Sequence, residues 1–317
     1  MGNQSSQDLI KGLSGCKNLK SLTLKLQSNN IGDQGFKDFK SLMSKCLSIQ
    51  NMILDLNYNQ ISDEGASFIG SGLTNYLEIQ KLSLNFKFNQ IGDQGIQALG
   101  QAISSCSNIQ SLKIILWDNK FQGPALAQFC DQIKNCQNLQ EIQLDVRKCN
   151  VDSNTLSLVS DSLSQIKNTS DLTLSLEQNG ICQIGLSSLA SKLILLSNLQ
   201  RLTLDLSQML IGETGINSLC QALPKYSKLS HLTLILIYSN LNAQCAIDLG
   251  ISLENCKNLQ SMCLNLFSNN INDEGAKALI SSLKNCEKLK VLQLTLAQKQ
   301  IKYKNTFYKL FKIVIYK

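Results

Sequence analysis

The feature that most constrains the fold is a 30-residue period that runs through most of the 317 residues. One column marks it without any change of spacing, with Tyr, Ile or Leu wherever cysteine is absent: Cys16, Cys46, Tyr76, Cys106, Cys136, Ile166, Leu196, Tyr226, Cys256 and Cys286. A second column three residues later, running from Leu19 to Leu289, is apolar in nine of ten repeats. Similar segments at a constant spacing indicate a repeat architecture, in which neighbouring units bury one another's apolar faces.

Each unit begins as a strand and continues as a helix. Leu22, Leu24 and Leu26 alternate with other residues, which is the pattern of a β-strand with one buried face. The turn Gly-Asp-Gln-Gly at 32–35 follows, with an acidic residue able to cap the helix that starts there. Apolar residues in 36–43 then recur at spacings of three and four, which predicts an amphipathic helix.

An asparagine column follows the strands. Its members are Asn29, Asn59, Asn89, Asn119, Asn179 and Asn269, with Cys149 at the corresponding place in another repeat. We interpret the column as a structural ladder, because a side-chain amide can bond backbone groups left unpaired where the chain leaves a sheet. Met209, Ser239 and Lys299 interrupt the column, which predicts looser turns in those repeats.

The repeated segment Leu19-x-x-Leu22-x-Leu24-x-Leu26-x-x-Asn29-x-Ile31-Gly-Asp-x-Gly resembles the leucine-rich repeat family, in its long, helix-bearing, ribonuclease-inhibitor-like form. The resemblance implies an α/β fold, a right-handed curved solenoid or horseshoe with a parallel inner β-sheet and outer α-helices. We expect nine full repeats over 16–285 between partial repeats at 1–15 and 286–301, followed by a basic and aromatic tail or cap at 302–317. A parallel α/β barrel fits less well, since it has no reason to repeat an Asn after each strand.

The residues that could support enzymatic or metal chemistry are better explained as members of the repeat pattern than as parts of a catalytic or metal site. Six of the twelve cysteines share the column in which Tyr, Ile and Leu substitute, so we interpret them as core thiols. His231, the single histidine, stands at a strand start in a polar column, and no phosphate-binding glycine motif is present. The sequence therefore predicts a protein that is not an enzyme, with no catalytic residue, metal site or cofactor.

Charge and hydropathy limit the choice of partner. The formal net charge is +7, but residues 1–301 carry 25 Lys and Arg against 23 Asp and Glu, so the surplus lies in the tail. A nearly neutral repeat region argues against nucleic acid. No apolar run is long enough to span a membrane, and we expect a cytoplasmic protein.

The strand residues between the buried positions should line the concave face and bind a protein partner. Most are polar, but apolar residues gather at two places. The N-terminal aromatic cluster comprises Tyr58, Phe88, Ile115 and Trp117, and the C-terminal aromatic cluster comprises Ile235, Ile237, Tyr238 and Phe267. Asp145 and Arg147 belong to a mixed-charge stretch between them that would orient a partner.

The two ends leave alternatives open. The start Met-Gly-Asn-Gln-Ser-Ser fits a myristoylation signal at Gly2, but the repeat register also places a glycine there. The tail could be a cap, a membrane-touching or partner-binding segment, or read-through of noncoding sequence, and the chain could be a piece of a longer array.

These observations favour a non-enzymatic protein-protein interaction scaffold, a function that the family resemblance also implies. One alternative is a regulatory partner of an enzyme, like ribonuclease inhibitors or Ran-type GTPase activators. Another is a structural subunit of a cytoskeletal or ciliary assembly.

Overall fold

The computed structural model describes residues 2–74 and 76–296, and the backbone of 311–316. The chain forms two compact units. The N-terminal unit consists of Met1–Val151 and Asp161–Thr169, and the C-terminal unit consists of Asp152–Ser160 and Ser170–Lys317. The predicted cysteine and asparagine columns run through both units.

Short strands alternate with helices through the described residues. The strands are β1 (Ser21–Lys25), β2 (Asn51–Asp55), β3 (Lys81–Asn85), β4 (Ser111–Ile115), β5 (Glu141–Asp145), β6 (Asp171–Ser175), β7 (Arg201–Asp205), β8 (His231–Ile235), β9 (Ser261–Asn265), β10 (Val291–Leu296) and β11 (Phe311–Tyr316). The α-helices are α1 (Asn3–Leu13), α2 (Phe39–Lys45), α3 (Asp63–Leu73), α4 (Asp93–Ser104), α5 (Gly123–Ile133), α6 (Ser153–Leu163), α7 (Gln183–Leu193), α8 (Gly212–Ala222), α9 (Ala243–Glu254) and α10 (Asp273–Lys284). Two 3-10 helices, Asp33–Phe36 and Leu223–Lys225, complete the order.

The strands of each unit pair in parallel with a constant register. In the N-terminal unit β1 to β5 pair in chain order, so that Leu22 lies beside Met52 and Met52 beside Leu82. In the C-terminal unit β6 to β10 pair in the same way. A register shift of 30 residues per strand is the sequence period itself. The predicted α/β fold with parallel strands is therefore confirmed.

The core lies between the apolar faces of the strands and helices. Side chains along β1 to β4 and β6 to β9 alternate between buried and accessible positions, as in β3, where Leu82 and Leu84 are buried. Helix α4 buries Ile96, Leu99 and Ile103 from the opposite side of the repeat. The other face of the strands stays partly open to solvent, and we call it the open sheet face.

The starts of α3 and α4 are capped by the preceding repeat. Oδ1 of Asp63 accepts hydrogen bonds from the backbone N–H groups of Gly92 and Gly95, at 2.7 and 2.8 Å. Gly95 lies in α4, whereas Asp63 begins α3, so an acidic residue of one repeat caps the helix of the next. Asp33 makes the equivalent bonds at the start of α3. An acidic residue thus caps a helix start as expected, but at α3 and α4 it comes from the preceding repeat, whereas Asp152 accepts the N–H of Thr155 at 2.7 Å in its own helix α6.

The same contact explains the second glycine of the Gly-Asp-Gln-Gly turn. A Cβ atom at Gly95 would lie 2.7 Å from Oδ1 of Asp63 and 2.8 Å from Cγ2 of Ile91. Such distances are too short for a carbon atom, so the capping carboxylate can approach the helix start only where a side chain is absent.

The last strand reverses direction. Strand β11 pairs antiparallel with β10, with Val291 opposite Tyr316 and Leu296 opposite Phe311. The predicted tail at 302–317 thus supplies an added strand, and a strand beside β10 reduces the number of unpaired backbone groups there. Lys299, Lys302 and the rest of 297–310 lie outside the described residues, and the role of the tail as a cap stays a prediction.

Candidate protein-interaction face

The turn that follows each strand has the same unusual backbone in repeat after repeat. The residue directly before the asparagine column adopts a positive φ between 52° and 58° in nine repeats: Ser28, Tyr58, Phe88, Asp118, Lys148, Gln178, Gln208, Tyr238 and Ser268. In seven of these turns the N–H of this residue donates to the backbone of the next repeat, as from Tyr58 to the Lys87 carbonyl and from Phe88 to the Trp117 carbonyl. The turns are thereby held in register beside the open sheet face.

Three rings of the N-terminal aromatic cluster are in contact. The ring centroids of Tyr58 and Phe88 are 4.5 Å apart, and those of Phe88 and Trp117 are 5.4 Å apart. Tyr58 is 52% exposed, while Phe88 and Trp117 are half-buried. The fourth member, Ile115, is half-buried at the end of β4 and lies between Asn85 and Asp145 in the sheet register.

Two cations lie over the rings. The ammonium of Lys87 is 3.4 Å from the centroid of Trp117 and 4.9 Å from that of Phe88. The guanidinium carbon of Arg147 is 3.9 Å from the centroid of Trp117. Burial, and secondly repulsion by Arg147, lower the pKa of Lys87 below its ordinary value. The cluster is therefore a cation-π assembly.

Asp145 holds Arg147 in place. Its carboxylate accepts hydrogen bonds from Nε and Nη2 of Arg147, at 2.8 and 2.5 Å. Asp145 is only 4% exposed. This corrects the expectation that Asp145 would itself face a partner, because the paired guanidinium lies over the carboxylate and presents the positive charge instead.

The C-terminal aromatic cluster is looser. The rings of Tyr238 and Phe267 are perpendicular, with centroids 6.3 Å apart. Tyr238 is 48% exposed, and Phe267 is half-buried. Ile235 at the end of β8 and Ile237 just beyond it are half-buried on the same open face. The structure thus brings the rings of each predicted cluster together within its own unit, and it places Ile115, Ile235 and Ile237 on the same open face.

The segments that match a known protein family coincide with the repeats. A family model described as "Leucine Rich repeat" matches residues 16–39, 52–70, 82–100 and 262–279. Together with the parallel strand-helix units, these matches decide the family. The chain is a leucine-rich-repeat protein. No curated protein matches it. Leucine-rich repeats are in general protein-interaction scaffolds, and their fold is typically non-enzymatic; the ribonuclease-inhibitor-like subtype stays a prediction.

The asparagine column of this leucine-rich-repeat protein makes bonds between repeats. Oδ1 of Asn89 accepts the N–H of Ile61 at 3.0 Å, and its Nδ2 donates to the carbonyls of Leu56 and Phe86. The same pattern recurs in the buried side chains of Asn59, Asn119 and Asn269. Asn29 is half-exposed and bonds the Gln27 carbonyl, and Asn179 bonds the Leu176 carbonyl.

Ser239, which replaces asparagine in this column, still bonds the neighbouring repeats. Oγ of Ser239 donates to the Leu206 carbonyl at 3.1 Å, and its N–H donates to Oδ1 of Asn269. The looser turn expected at Ser239 is therefore wrong, since a buried hydroxyl replaces the amide donor. Sγ of Cys149 contacts the Leu116 carbonyl at 3.2 Å in the same way.

A second asparagine column escaped the sequence analysis. Nδ2 of Asn108 donates to the Leu77 carbonyl, and three further repeats show equivalent bonds to the preceding repeat, from Asn138, Asn168 and Asn258. The 30-residue spacing of these asparagines in the sequence could have revealed the column. Polar side chains here join the loops before successive strands.

The candidate lipidation residue takes a repeat position. Gly2 precedes α1 in an extended conformation, and its carbonyl accepts the N–H of Ser6 at 3.1 Å. Oδ1 of Asn3 accepts the N–H of Gly32 at 2.7 Å, just as Asp63 bonds Gly92 two repeats further on. Gly2 thus occupies the position before a helix that Gly32 and Gly92 occupy in later repeats, and its myristoylation stays a prediction.

Most cysteines belong to the core. Cys106, Cys130 and Cys136 are buried, and burial raises the pKa of the Cys130 thiol to about 12. Cys182 differs, because hydrogen bonds from Ser153 and from the backbone of α7 lower its pKa. Within the described ranges, no group of three or more His, Cys, Asp or Glu side chains is placed to hold a metal ion. No helix in the described part of the chain is long and apolar enough to cross a membrane.

Proposed function

We propose that the protein is a non-enzymatic scaffold that binds a protein partner through the open sheet face, with the N-terminal aromatic cluster as the principal contact. The observation that carries the proposal is the contacting set of Tyr58, Phe88 and Trp117, which offers a half-exposed aromatic surface on that face. Aromatic residues are the commonest hot spots of protein interfaces.

The backbone supports this assignment. Tyr58 and Phe88 have φ of 54° and 53°, a region that large side chains rarely adopt. Other repeats have Ser, Asp or Gln at the equivalent position, so the turn does not require a ring. A non-glycine residue in this conformation costs about 1–2 kcal/mol. The same φ recurs in all nine repeats, so the feature specific to this cluster is the choice of large rings at these positions and not the strain itself.

The C-terminal aromatic cluster is a second surface of the same kind. Tyr238 has a φ of 52°, and its ring contacts that of Phe267. We propose it as a separate contact in the C-terminal unit, with no common partner required. Regulation of an enzyme would be one use of either surface.

A structural-subunit role is the second candidate. Ile184 near the start of α7 and Leu210 just before α8 are 69% and 78% exposed, and neither belongs to a sheet-face cluster. Apolar side chains exposed to this extent could join the chain to an assembly through surfaces other than the sheet.

Quantitative affinity purification from native cells separates the two candidates. The baits are the wild-type chain, Trp117→Ala, the double variant Ile237→Ala/Phe267→Ala, and the matched double variant Ile184→Ser/Leu210→Ser. All four are first checked for unchanged circular dichroism and cooperative unfolding. We expect a protein that is depleted with Trp117→Ala and retained with Ile184→Ser/Leu210→Ser. Depletion with the latter variant alone would contradict the sheet-face proposal and favour the structural subunit.

A further inference from the structure

One of the cations at the N-terminal aromatic cluster contacts rings in place of a carboxylate. Of the three cations around it, Arg147 is paired with Asp145, and Lys148 lies 3.4 Å from the carboxylate of Asp118. The third cation, Lys87, has no carboxylate within ion-pair distance among the residues that the structure describes; it contacts the aromatic rings instead. Lys87 is therefore the cation of the three that an incoming anion can pair with directly.

The ring contacts hold Lys87 in position. The ammonium of Lys87 lies within 6 Å of all three rings, at 5.9 Å from Tyr58, 4.9 Å from Phe88 and 3.4 Å from Trp117. Its side chain is half-buried, so less of its surface is in contact with water than that of an exposed lysine. A fixed and partly desolvated cation pairs with an incoming anion more strongly than a mobile surface lysine does.

A second polar group also lacks a partner. The indole Nε1 of Trp117 is buried and has no hydrogen-bond acceptor within the described ranges. Buried donors in proteins are nearly always bonded. An indole N–H donates in the plane of its ring, so a partner oxygen that approached the edge of the Trp117 ring would supply the missing acceptor.

We propose that the N-terminal aromatic cluster binds an acidic peptide segment of its partner, in which an Asp or Glu carboxylate pairs with Lys87 and a neighbouring apolar side chain packs on Tyr58 and Phe88. This inference rests on the proposed function and names the chemistry of the partner. A phosphate backbone fits less well, because nucleic acids are held by many cations along a stripe, whereas two of the three cations here are already ion-paired.

The test is selection from a random peptide library displayed on phage, with the full-length chain as bait and enriched sequences made as synthetic peptides. Trp117 is the single tryptophan, so its fluorescence reports binding directly. The variants are Trp117→Ala, Lys87→Met, Lys87→Arg and, as a matched control, Lys81→Met at the exposed start of β3. Fluorescence polarisation of labelled peptides follows binding to Trp117→Ala.

We expect enriched peptides rich in Asp and Glu next to apolar residues. Lys87→Met, or Glu→Gln in the peptide, should weaken binding by about tenfold or more, with recovery in Lys87→Arg and no change in Lys81→Met. Neutral or basic peptides that need Trp117 would overturn this inference and leave the proposed function standing. Peptides that bind Trp117→Ala as tightly as they bind the wild-type chain would overturn both the inference and the proposed function. A selection without enrichment would do the same.

Discussion

Oδ1 of Asn89 accepts a hydrogen bond from the backbone N–H of Ile61, 28 residues earlier in the chain, at 3.0 Å. The same amide donates to the carbonyls of Leu56 and Phe86, so one buried side chain bonds backbone groups of two repeats. The repeats are therefore joined by side chains as well as by the sheet.

Replacement of Asn89 should be costly for that reason. Asn89→Ala leaves buried backbone groups without partners, and each such group costs about 1–3 kcal/mol. We expect the free energy of unfolding in urea to fall by about 2 kcal/mol or more. Asn29→Ala is the control, because Asn29 is half-exposed and its loss should cost under about 1 kcal/mol. Equal losses at the two positions would show that the ladder does not stabilise the fold.

The close approach of Asp63 to α4 predicts a strained alanine at Gly95. Gly95→Ala places a carbon against Oδ1 of Asp63 and Cγ2 of Ile91. We therefore expect the free energy of unfolding to fall by about 1–3 kcal/mol. Gly12→Ala in α1 meets no atom within 4 Å and should be neutral or stabilising by about 0.5–1 kcal/mol.

A double-mutant cycle isolates the contact. Asp63→Ala alone removes a cap and should cost about 0.5–2 kcal/mol. Combined with Gly95→Ala it should cost less than the sum of the two single changes, since the clash with the carboxylate is then gone. Strict additivity would contradict the cross-repeat cap.

Cys182 should be more reactive than the core thiols. Oγ of Ser153 lies 3.1 Å from its sulfur, and this hydrogen bond is the first cause of the lowered pKa of Cys182. Alkylation proceeds through the thiolate, so its rate against pH should have a midpoint below 9.0. Cys130, with a pKa raised to about 12 by burial, should stay unmodified in the folded protein.

Two serine variants check the cause. Ser153→Ala should move the Cys182 midpoint upward, because the thiolate loses its hydroxyl donor. Ser157 lies one turn further along α6, and its hydroxyl bonds that of Ser188. Ser157→Ala should therefore leave the Cys182 midpoint unchanged. Mass spectrometry of peptides labelled at successive pH values gives both profiles, and a midpoint insensitive to Ser153 would refute the mechanism.

The lowered pKa of Lys87 predicts a pH effect on stability. The folded chain releases this proton at a lower pH than the unfolded chain, whose lysine has the ordinary value of 10.5. Between those two pKa values the unfolded state binds more protons, so the free energy of unfolding rises with pH. Relative to Lys87→Met, the wild-type chain should therefore gain stability as the pH approaches 10.5. Urea unfolding of both proteins at pH 7 and pH 10 measures the difference, and a constant or falling difference would contradict it.

Much of this architecture follows from the period. A shift of 30 residues places Ile53 beside Thr23 and Ser83, so the members of each aromatic cluster could be assigned to neighbouring strands. Alternation then separates buried Leu82 from accessible Ser83, because adjacent side chains of a strand point to opposite faces.

The parts that could not be predicted depend on three-dimensional contacts. The positive φ of Tyr58 arises in a turn whose N–H bonds the next repeat, and a single sequence carries no signal for it at an aromatic residue. The burial of Asp145 depends on the guanidinium of Arg147 lying over it. Cross-repeat capping by Asp63 likewise depends on how close neighbouring helices lie.

The central claim is that the partner lies on the open sheet face. Photo-crosslinking in native cells tests it, with benzoyl-phenylalanine placed either at position 58, in the N-terminal aromatic cluster, or at position 128, an exposed site on α5. The account predicts a specific protein adduct from position 58 and none from position 128. An adduct from position 128 alone would place the partner on the helices and contradict it.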